Sequence, residues 1–300
     1  MNETDYIWMD GNLVPWKDAT IHVLTHSLHY GMGIFEGIRY YETEEGPAIF
    51  RLCDHTERFF FGARDAFLEI PFSKSEINEA IKEVVRINKL QSGYIRPLAY
   101  FGYGKMGLNP RGCPTNVSIS TWPWGSYLGD DAVKVKTSRF KRIHPDSTHV
   151  EAKICGHYIN SIFASVDVRD QGYHEALLMD HYGCVGEGPG ENIFIITDGT
   201  LITPGPGSIL RGITRRSIMT IAKDQGIPVE ERRITLDDIH YSDESFFTGT
   251  AAEVTPIYSV DDRKIGKASP GPITQKLQKI FEDTIHGRNE TYKDWLTVVI

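Results

Sequence analysis

The chain has no Cys-x-x-Cys pair, and its cysteines, Cys53, Cys113, Cys155 and Cys184, are scattered over 300 residues. That excludes a disulfide-stapled scaffold and points to a reduced, cytoplasmic protein. Long hydrophobic runs are absent too, so no membrane span is expected. Positive charge is in short supply: 32 Lys and Arg stand against 40 Asp and Glu, a net charge of −8. With no Lys/Arg-rich block to reverse this locally, nucleic acid and anionic membranes are poor partners. The first residues, Met1-Asn2-Glu3-Thr4-Asp5-Tyr6, are acidic and polar, unlike a signal or transit peptide. No internal repeat is present, which argues against solenoids and propellers. What remains is a chain long enough to bury the core of one large domain or two medium ones.

Strand-like and helix-like segments alternate irregularly, which predicts an α+β fold rather than a regular βαβ series. In the first half, 6–9 and 11–14 read as a short hairpin and 48–52 as a further strand. Asp54 with Glu57, and Ser73 with Glu76, have the spacing of capping boxes opening two helices. Ile77, Ile81, Val84 and Val85 follow the second at helical period. Residues 94–101 and 116–121 read as strands. The segment 122–133, rich in Gly, Pro and aromatics, is the expected interdomain loop. It separates a small domain over 1–121 from a larger one over 134–300. In the second half, 133–137, 176–179, 193–196 and 200–202 read as strands. Ile159, Ile162, Phe163 and Val166 have helical spacing, with Gly172 as a C-cap. Thr214 offers a cap for a helix stopped by Gly226 and Pro228, and Pro272 opens a last helix.

Two segments 34 residues apart (187 − 153) carry the chemistry. Lys153 lies among small and apolar residues just before a predicted helix, where desolvation lowers an amine's pKa and frees it to attack a carbonyl. Glu187 lies in the glycine-rich turn Gly186-Glu187-Gly188-Pro189-Gly190-Glu191-Asn192. A carboxylate there can hold a proton on the ring nitrogen of an aldehyde cofactor that forms a Schiff base with the lysine; pyridoxal phosphate needs both groups. Taken alone, Lys153 reads as a surface lysine at a helix start and Glu187 as a turn acid, so the pair is what counts. Glu191 reads as an orienting neighbour. Leu210-Arg211-Gly212-Ile213-Thr214-Arg215 and Phe247-Thr248-Gly249-Thr250-Ala251-Ala252-Glu253 are two segments whose backbone amides could hold a phosphate.

These segments, with His29-Tyr30-Gly31, Phe35-Glu36-Gly37-Ile38-Arg39, Tyr94-Ile95-Arg96-Pro97 and Gly104-Lys105-Met106-Gly107-Leu108-Asn109-Pro110, occur in order along the chain. Together they resemble the fold-type IV pyridoxal-phosphate transaminases, on their branched-chain amino-acid aminotransferase branch. The resemblance implies a two-domain α+β enzyme with the cofactor cleft between the small N-terminal and the larger C-terminal domain. It implies pyridoxal 5'-phosphate as cofactor and Lys153 as the Schiff-base and proton-transfer residue. Glu187 would face the pyridine nitrogen and Tyr158 the phenolic oxygen. Arg58, Ile213, Thr214 and Thr250 would hold the phosphate. Amides of Thr250 and Ala251 would take the substrate α-carboxylate. Phe35, Tyr94, Met106, Trp124 and Tyr127 would line the side-chain pocket. Arg96, with Tyr30 of a neighbouring subunit, would take the second carboxylate of glutamate. The implied reaction moves an amino group between L-leucine, isoleucine or valine and 2-oxoglutarate by a ping-pong route. Amino acids and 2-oxo acids are then the small-molecule partners, and the assembly is a homodimer at minimum, extendable to a hexamer.

Other activities on this fold are D-amino-acid transaminase, (R)-amine transaminase and aminodeoxychorismate lyase. The first is disfavoured because Arg96-Pro97-Leu98 has Leu where an R-x-H carboxylate trap would have His. A non-catalytic ligand-binding relative would be expected to lose Lys153 or Glu187. The sequence departs from the family pattern at His157, where Asn is usual, at Pro189 in the glycine turn, and at Arg211, where proline is frequent. No metal is expected: His22, His26 and His29 have no acidic partner. Gly102-Tyr103-Gly104-Lys105-Met106-Gly107 matches a dinucleotide fingerprint in letters only, because prolines rather than a helix follow it.

Overall fold

Residues 93–101, buried at seven of nine positions, form the longest strand of the first half, and the strand on which the Lys153 segment docks pairs with it. The computed structural model describes residues 2–125, 128–129 and 131–300. It divides into two compact units: Met1–Gly125 with Ala152–Gly156 and Thr284–Ile300, and Ser126–Glu151 with His157–Asp283.

The first unit is an antiparallel sheet with helices on it. Its strands are β1 (Tyr6–Met9), β2 (Asn12–Pro15), β3 (Gly33–Phe35), β4 (Ile38–Thr43), β5 (Gly46–Phe50), β6 (Gly93–Phe101) and β7 (Thr115–Trp122), closed at one edge by Leu296–Val298 against β5. Its helices are α1 (His26–Tyr30), α2 (Leu52–Asp65) and α3 (Lys74–Asn88). Helix α3 begins where its sequence says. Ser73 accepts from the Glu76 N–H and Glu76 reaches back to the Ser73 N–H, while Ile77, Ala80, Ile81, Val84 and Val85 go into the core. Helix α2 starts two residues before the expected Asp54 cap. Asp54 lies inside the first turn and pairs with Arg51, which is the left-handed N-cap residue.

Strand β6 takes two neighbours on one side. β3 pairs with Leu98–Tyr100 and β4 with Gly93–Ile95, in one uninterrupted register. Glu36 and Gly37 form the gap, opposite Arg96 and Pro97. Proline has no N–H to give a ladder, and the strand break falls opposite it; the Pro97 carbonyl still accepts from the Glu36 N–H.

The second unit holds a mixed sheet: β8 (Val133–Thr137), β9 (Glu175–Met179), β10 (Val185–Glu187), β11 (Asn192–Thr197), β12 (Thr200–Thr203), β13 (Val229–Glu231), β14 (Glu244–Gly249), β15 (Glu253–Val260) and β16 (Arg263–Lys264). The order runs β10-β9-β8-β15-β14-β11-β12-β13, with β16 on β15. Pairs β8–β15, β8–β9 and β12–β13 are parallel and the others antiparallel. The helices of the second half are α4 (Tyr158–Arg169), α5 (Ile213–Asp224), α6 (Leu236–His240) and α7 (Pro272–Ile285).

Helix α4 has the expected period but the opposite orientation. Ile159, Ile162, Phe163 and Val166 are more than half exposed, while Ser161, Ala164 and Val168 face inward. The close packing of Ala164 and Val168 against Ala176 and Leu178 needs small residues on that face.

Candidate active site

Lys153 is carried by a short segment docked on β3. The Phe35 N–H donates to the Lys153 carbonyl at 3.2 Å, Ile34 and Ile154 form an antiparallel bridge, and the Gly156 N–H donates to Gly31 at 2.9 Å. The approach is close enough that a Cβ on Gly31, whose φ is +69°, would stand 3.0 Å from the Gly156 Cα. A tight turn at Lys153 itself, with the Ile154 N–H donating to Ala152 at 2.9 Å, fixes where the side chain leaves the backbone.

The amine lies 4.7 Å from the centre of the Phe35 ring. Burial lowers its pKa from 10.5 to about 8; the Arg58 and Arg96 cations push the same way, and Glu36 and Tyr94 oppose them. A lysine so placed is a nucleophile near neutral pH.

Around it the first unit gathers several of the expected residues. The Arg96 guanidinium lies over the rings of Phe35, Tyr94 and Trp122 at 4.6, 5.4 and 5.9 Å. Its Nε is buried with no protein acceptor, the signature of a donor aimed at something the protein itself does not supply. Tyr94 packs on Trp122 and Trp124 with ring centres 5.4 and 5.2 Å away. Gly37 makes that possible, because a Cβ there would sit 1.8 Å from the Tyr94 hydroxyl. Arg58 donates from Nε and Nη2 to the two oxygens of Glu36 at 2.6 and 2.8 Å. The His55 Nδ1 lies 2.8 Å from the second of those oxygens. Arg58 and His55 hold the buried Glu36 carboxyl far below the usual carboxylate range against its own desolvation.

Tyr30 and Met106 are placed differently from the others. Both are about two-fifths exposed, and the Tyr30 hydroxyl accepts from the Gly107 N–H at 3.2 Å. Tyr127 lies outside the described residues.

Glu187 ends β10, where the register against β9 slips between Val185 and Glu187. Such a bulge re-aims the next side chain. Gly186 is required here, because a Cβ would approach the Leu178 carbonyl at 3.0 Å and the Arg142 Cγ at 3.2 Å. Three donors converge on the carboxylate: Arg142 Nη2 at 2.8 Å, Asn192 Nδ2 at 3.0 Å and the Leu210 N–H at 3.1 Å. Arg142 is invisible to sequence reasoning, since nothing distinguishes it from the other cations of Arg139-Phe140-Lys141-Arg142. Gly212 serves the same carboxylate. A Cβ on it would fall 1.9 Å from Asn192 Oδ1.

Gly212 is also the N-cap of α5 and provides no side-chain cap, leaving the amides of Ile213 and Thr214 for another acceptor. Thr214 therefore sits within the first turn rather than capping it, and is 3% exposed. Thr250 and Ala251 lie in the turn between β14 and β15. Tyr158 opens α4. Two of the departure residues have local partners. His157 Nε2 is 2.8 Å from the Thr148 hydroxyl, and Arg211 pairs with Glu151 at 3.0 Å. The Glu191 carboxyl is raised to about 8, first by burial and then by neighbouring Glu175.

Each unit carries residues whose chemistry suits pyridoxal phosphate: in the first, an amine held near pKa 8 and an arginine paired with a buried carboxylate; in the second, a carboxylate that accepts from three donors and a helix N-terminus without a side-chain cap. A family model described as amino-transferase class IV matches residues 33–260. The branched-chain-amino-acid aminotransferase of Pseudomonas aeruginosa is 50% identical over 297 residues, covering 98% of this chain and 97% of that protein. That of Escherichia coli strain K12 is 40% identical over 303 residues, covering 99% and 98%. Among solved structures, the T.th. branched-chain amino acid aminotransferase with pyridoxamine 5'-phosphate is similar at a TM-score of 0.97 and 44% identity, with both chains fully covered. The resemblance read from the motifs is borne out, and the chain belongs to the class IV aminotransferase family.

Proposed function

We propose that this chain is a pyridoxal-phosphate transaminase that moves an amino group between L-branched-chain amino acids and 2-oxoglutarate. The observation that carries the reading is Lys153, whose amine is brought to about pKa 8 by burial beside Arg58 and Arg96. When bound, the cofactor supplies an electron sink that makes the substrate Cα–H acidic. Lys153 would hold the cofactor through its amine and, once the substrate's amino group has displaced it there, the freed amine would serve as the base that takes and returns the substrate Cα proton. Glu187, fixed by Arg142, Asn192 and the Leu210 N–H, holds a proton on the ring nitrogen. Tyr158 serves the phenolic oxygen. Arg58, the Thr250 hydroxyl and the amides of Ile213 and Thr214 hold the phosphate.

The substrate α-carboxylate goes to the amides of Thr250 and Ala251. Phe35, Tyr94 and Trp124 give the apolar wall for a leucine side chain. Arg96 supports the second half of the reaction. Its unpartnered Nε offers a donor to the distal carboxylate of glutamate, while the rings under its guanidinium keep the surroundings apolar. One pocket then takes both substrate classes in turn, as a ping-pong route requires.

The assembly is proposed to be a homodimer or a larger even oligomer in the cytoplasm. Ile21, Val23, Leu24 and Leu28 are exposed beside Tyr30, as are Tyr103, Met106 and Leu108; a second copy would cover them and bring Tyr30 and Met106 to its own site. The test is to load the protein with pyridoxal phosphate and add L-leucine, D-alanine or an (R)-amine separately. Bleaching of the visible band by L-leucine alone is expected. Bleaching by D-alanine or the amine instead would move the substrate assignment to the other activities of this fold.

A further inference from the structure

We infer that Glu36 is a positioning residue for the phosphate clamp: it locks the guanidinium of Arg58 and so sets how strongly the site selects a phosphorylated aldehyde. The inference rests on Arg58 being a phosphate ligand. Glu36 sits in the gap between β3 and β4, 1% exposed. Its two oxygens take Arg58 Nε at 2.6 Å and Nη2 at 2.8 Å, a fork-to-fork pair that fixes the guanidinium plane as well as its position. The second oxygen also meets His55 Nδ1 at 2.8 Å and the Gly37 N–H at 3.3 Å. His55 and Arg58 are three residues apart on α2, so both reach Glu36 from one helix face.

A merely structural role is a poor account of this cluster. A buried ion pair contributes little more than an apolar pair of the same volume, because desolvation offsets the attraction. Orientation is what a carboxylate gives and a leucine does not. An arginine on a flexible stem would otherwise spread over several rotamers, and a phosphate would have to order it on binding. Glu36 also balances charge beside the nucleophile, since Arg58 and Arg96 both act against protonation of Lys153 and Glu36 acts for it.

The test compares binding of pyridoxal phosphate with binding of pyridoxal, which lacks the phosphate, by titration calorimetry. Wild type, Arg58→Met, Glu36→Gln and the double variant are measured, with circular dichroism as a check on folding. Arg58→Met is expected to collapse the preference for the phosphorylated form; an unchanged preference would remove Arg58 from the clamp and the inference with it. Glu36→Gln is expected to lower the preference roughly tenfold to a hundredfold, the worth of a charge-assisted hydrogen bond. The double variant should then fall no further than Arg58→Met, because Glu36 acts through Arg58. If Glu36→Gln weakens both ligands equally and leaves the preference intact, Glu36 is structural and the inference fails while the Arg58 assignment stands. Should Glu36→Gln not fold, Glu36→Asp decides: it keeps the charge but is too short to span both nitrogens. A preference between wild type and Arg58→Met supports the inference, and a wild-type preference overturns it.

Discussion

The Lys153 amine lies in surroundings that disfavour its charge. Burial and two arginines bring its amine down to about 8, so the proton that an exposed lysine keeps is already loosely held. The consequence for stability has a definite sign. Below about pH 8 the folded and unfolded chains both carry the proton, and the buried charge costs stability. Between about 8 and 10.5 the unfolded chain holds more protons, so stability rises with pH through that window. Lys153→Met should therefore be more stable than wild type at neutral pH, and thermal melts of the cofactor-free proteins should show the gap closing as pH rises through that window. A gap that widens with pH would mean the amine is not desolvated. Gly37 bears on the wall of the same site. Gly37→Ala places a methyl 1.8 Å from the Tyr94 hydroxyl, and overpacking of this kind costs about 1–3 kcal/mol. The ring should swing off Trp122 and Trp124, and the KM for L-leucine should rise more than that for glutamate, which Arg96 still anchors.

Elements differ in how openly the sequence declares them. Helix α3 is written locally, by a capping box and five inward residues at helical period. Ser73→Ala should cost about 1 kcal/mol in urea unfolding without changing turnover, since α3 carries no residue assigned to the site. Helix α4 shows the limit of such reading. Its period is plain, but which face turns inward depends on the small residues Ala164 and Ala176 packing closely, and hydrophobicity alone points the wrong way. Strands β3 and β4 are three and six residues long; β3 is recognised by its pairing with β6, and β4 by its pairing with β5 and β6. The site is legible in proportion to how much of it lies in short motifs. Lys153, Glu187 and the Gly212 turn stand in compact runs. Arg142 reaches Glu187 from 45 residues away (187 − 142), and no local pattern marks it. Glu36 belongs to one of the family-like motifs, yet its bond to Arg58 exists only once α2 is laid beside the β3–β4 gap.

At the scale of the whole molecule, the assignment asks one chain to handle leucine and glutamate in turn and to complete its pocket with a neighbour's Tyr30 and Met106. Leu28 is 62% exposed in α1, close in sequence to Tyr30. Leu28→Asp should shift the protein toward monomer in sedimentation, and should reduce turnover with both substrates in proportion to the monomer formed. A monomeric variant with full activity would show that each chain suffices alone.

The most direct measurement is borohydride reduction of the pyridoxal-phosphate-loaded protein followed by peptide mass mapping. An imine to the chain becomes a stable amine on reduction, so the modified residue reports the attachment point. The expected result is a single phosphopyridoxyl label on Lys153, lost when L-leucine is added before the reductant. A label on another lysine, or none on the loaded protein, would contradict the central assignment.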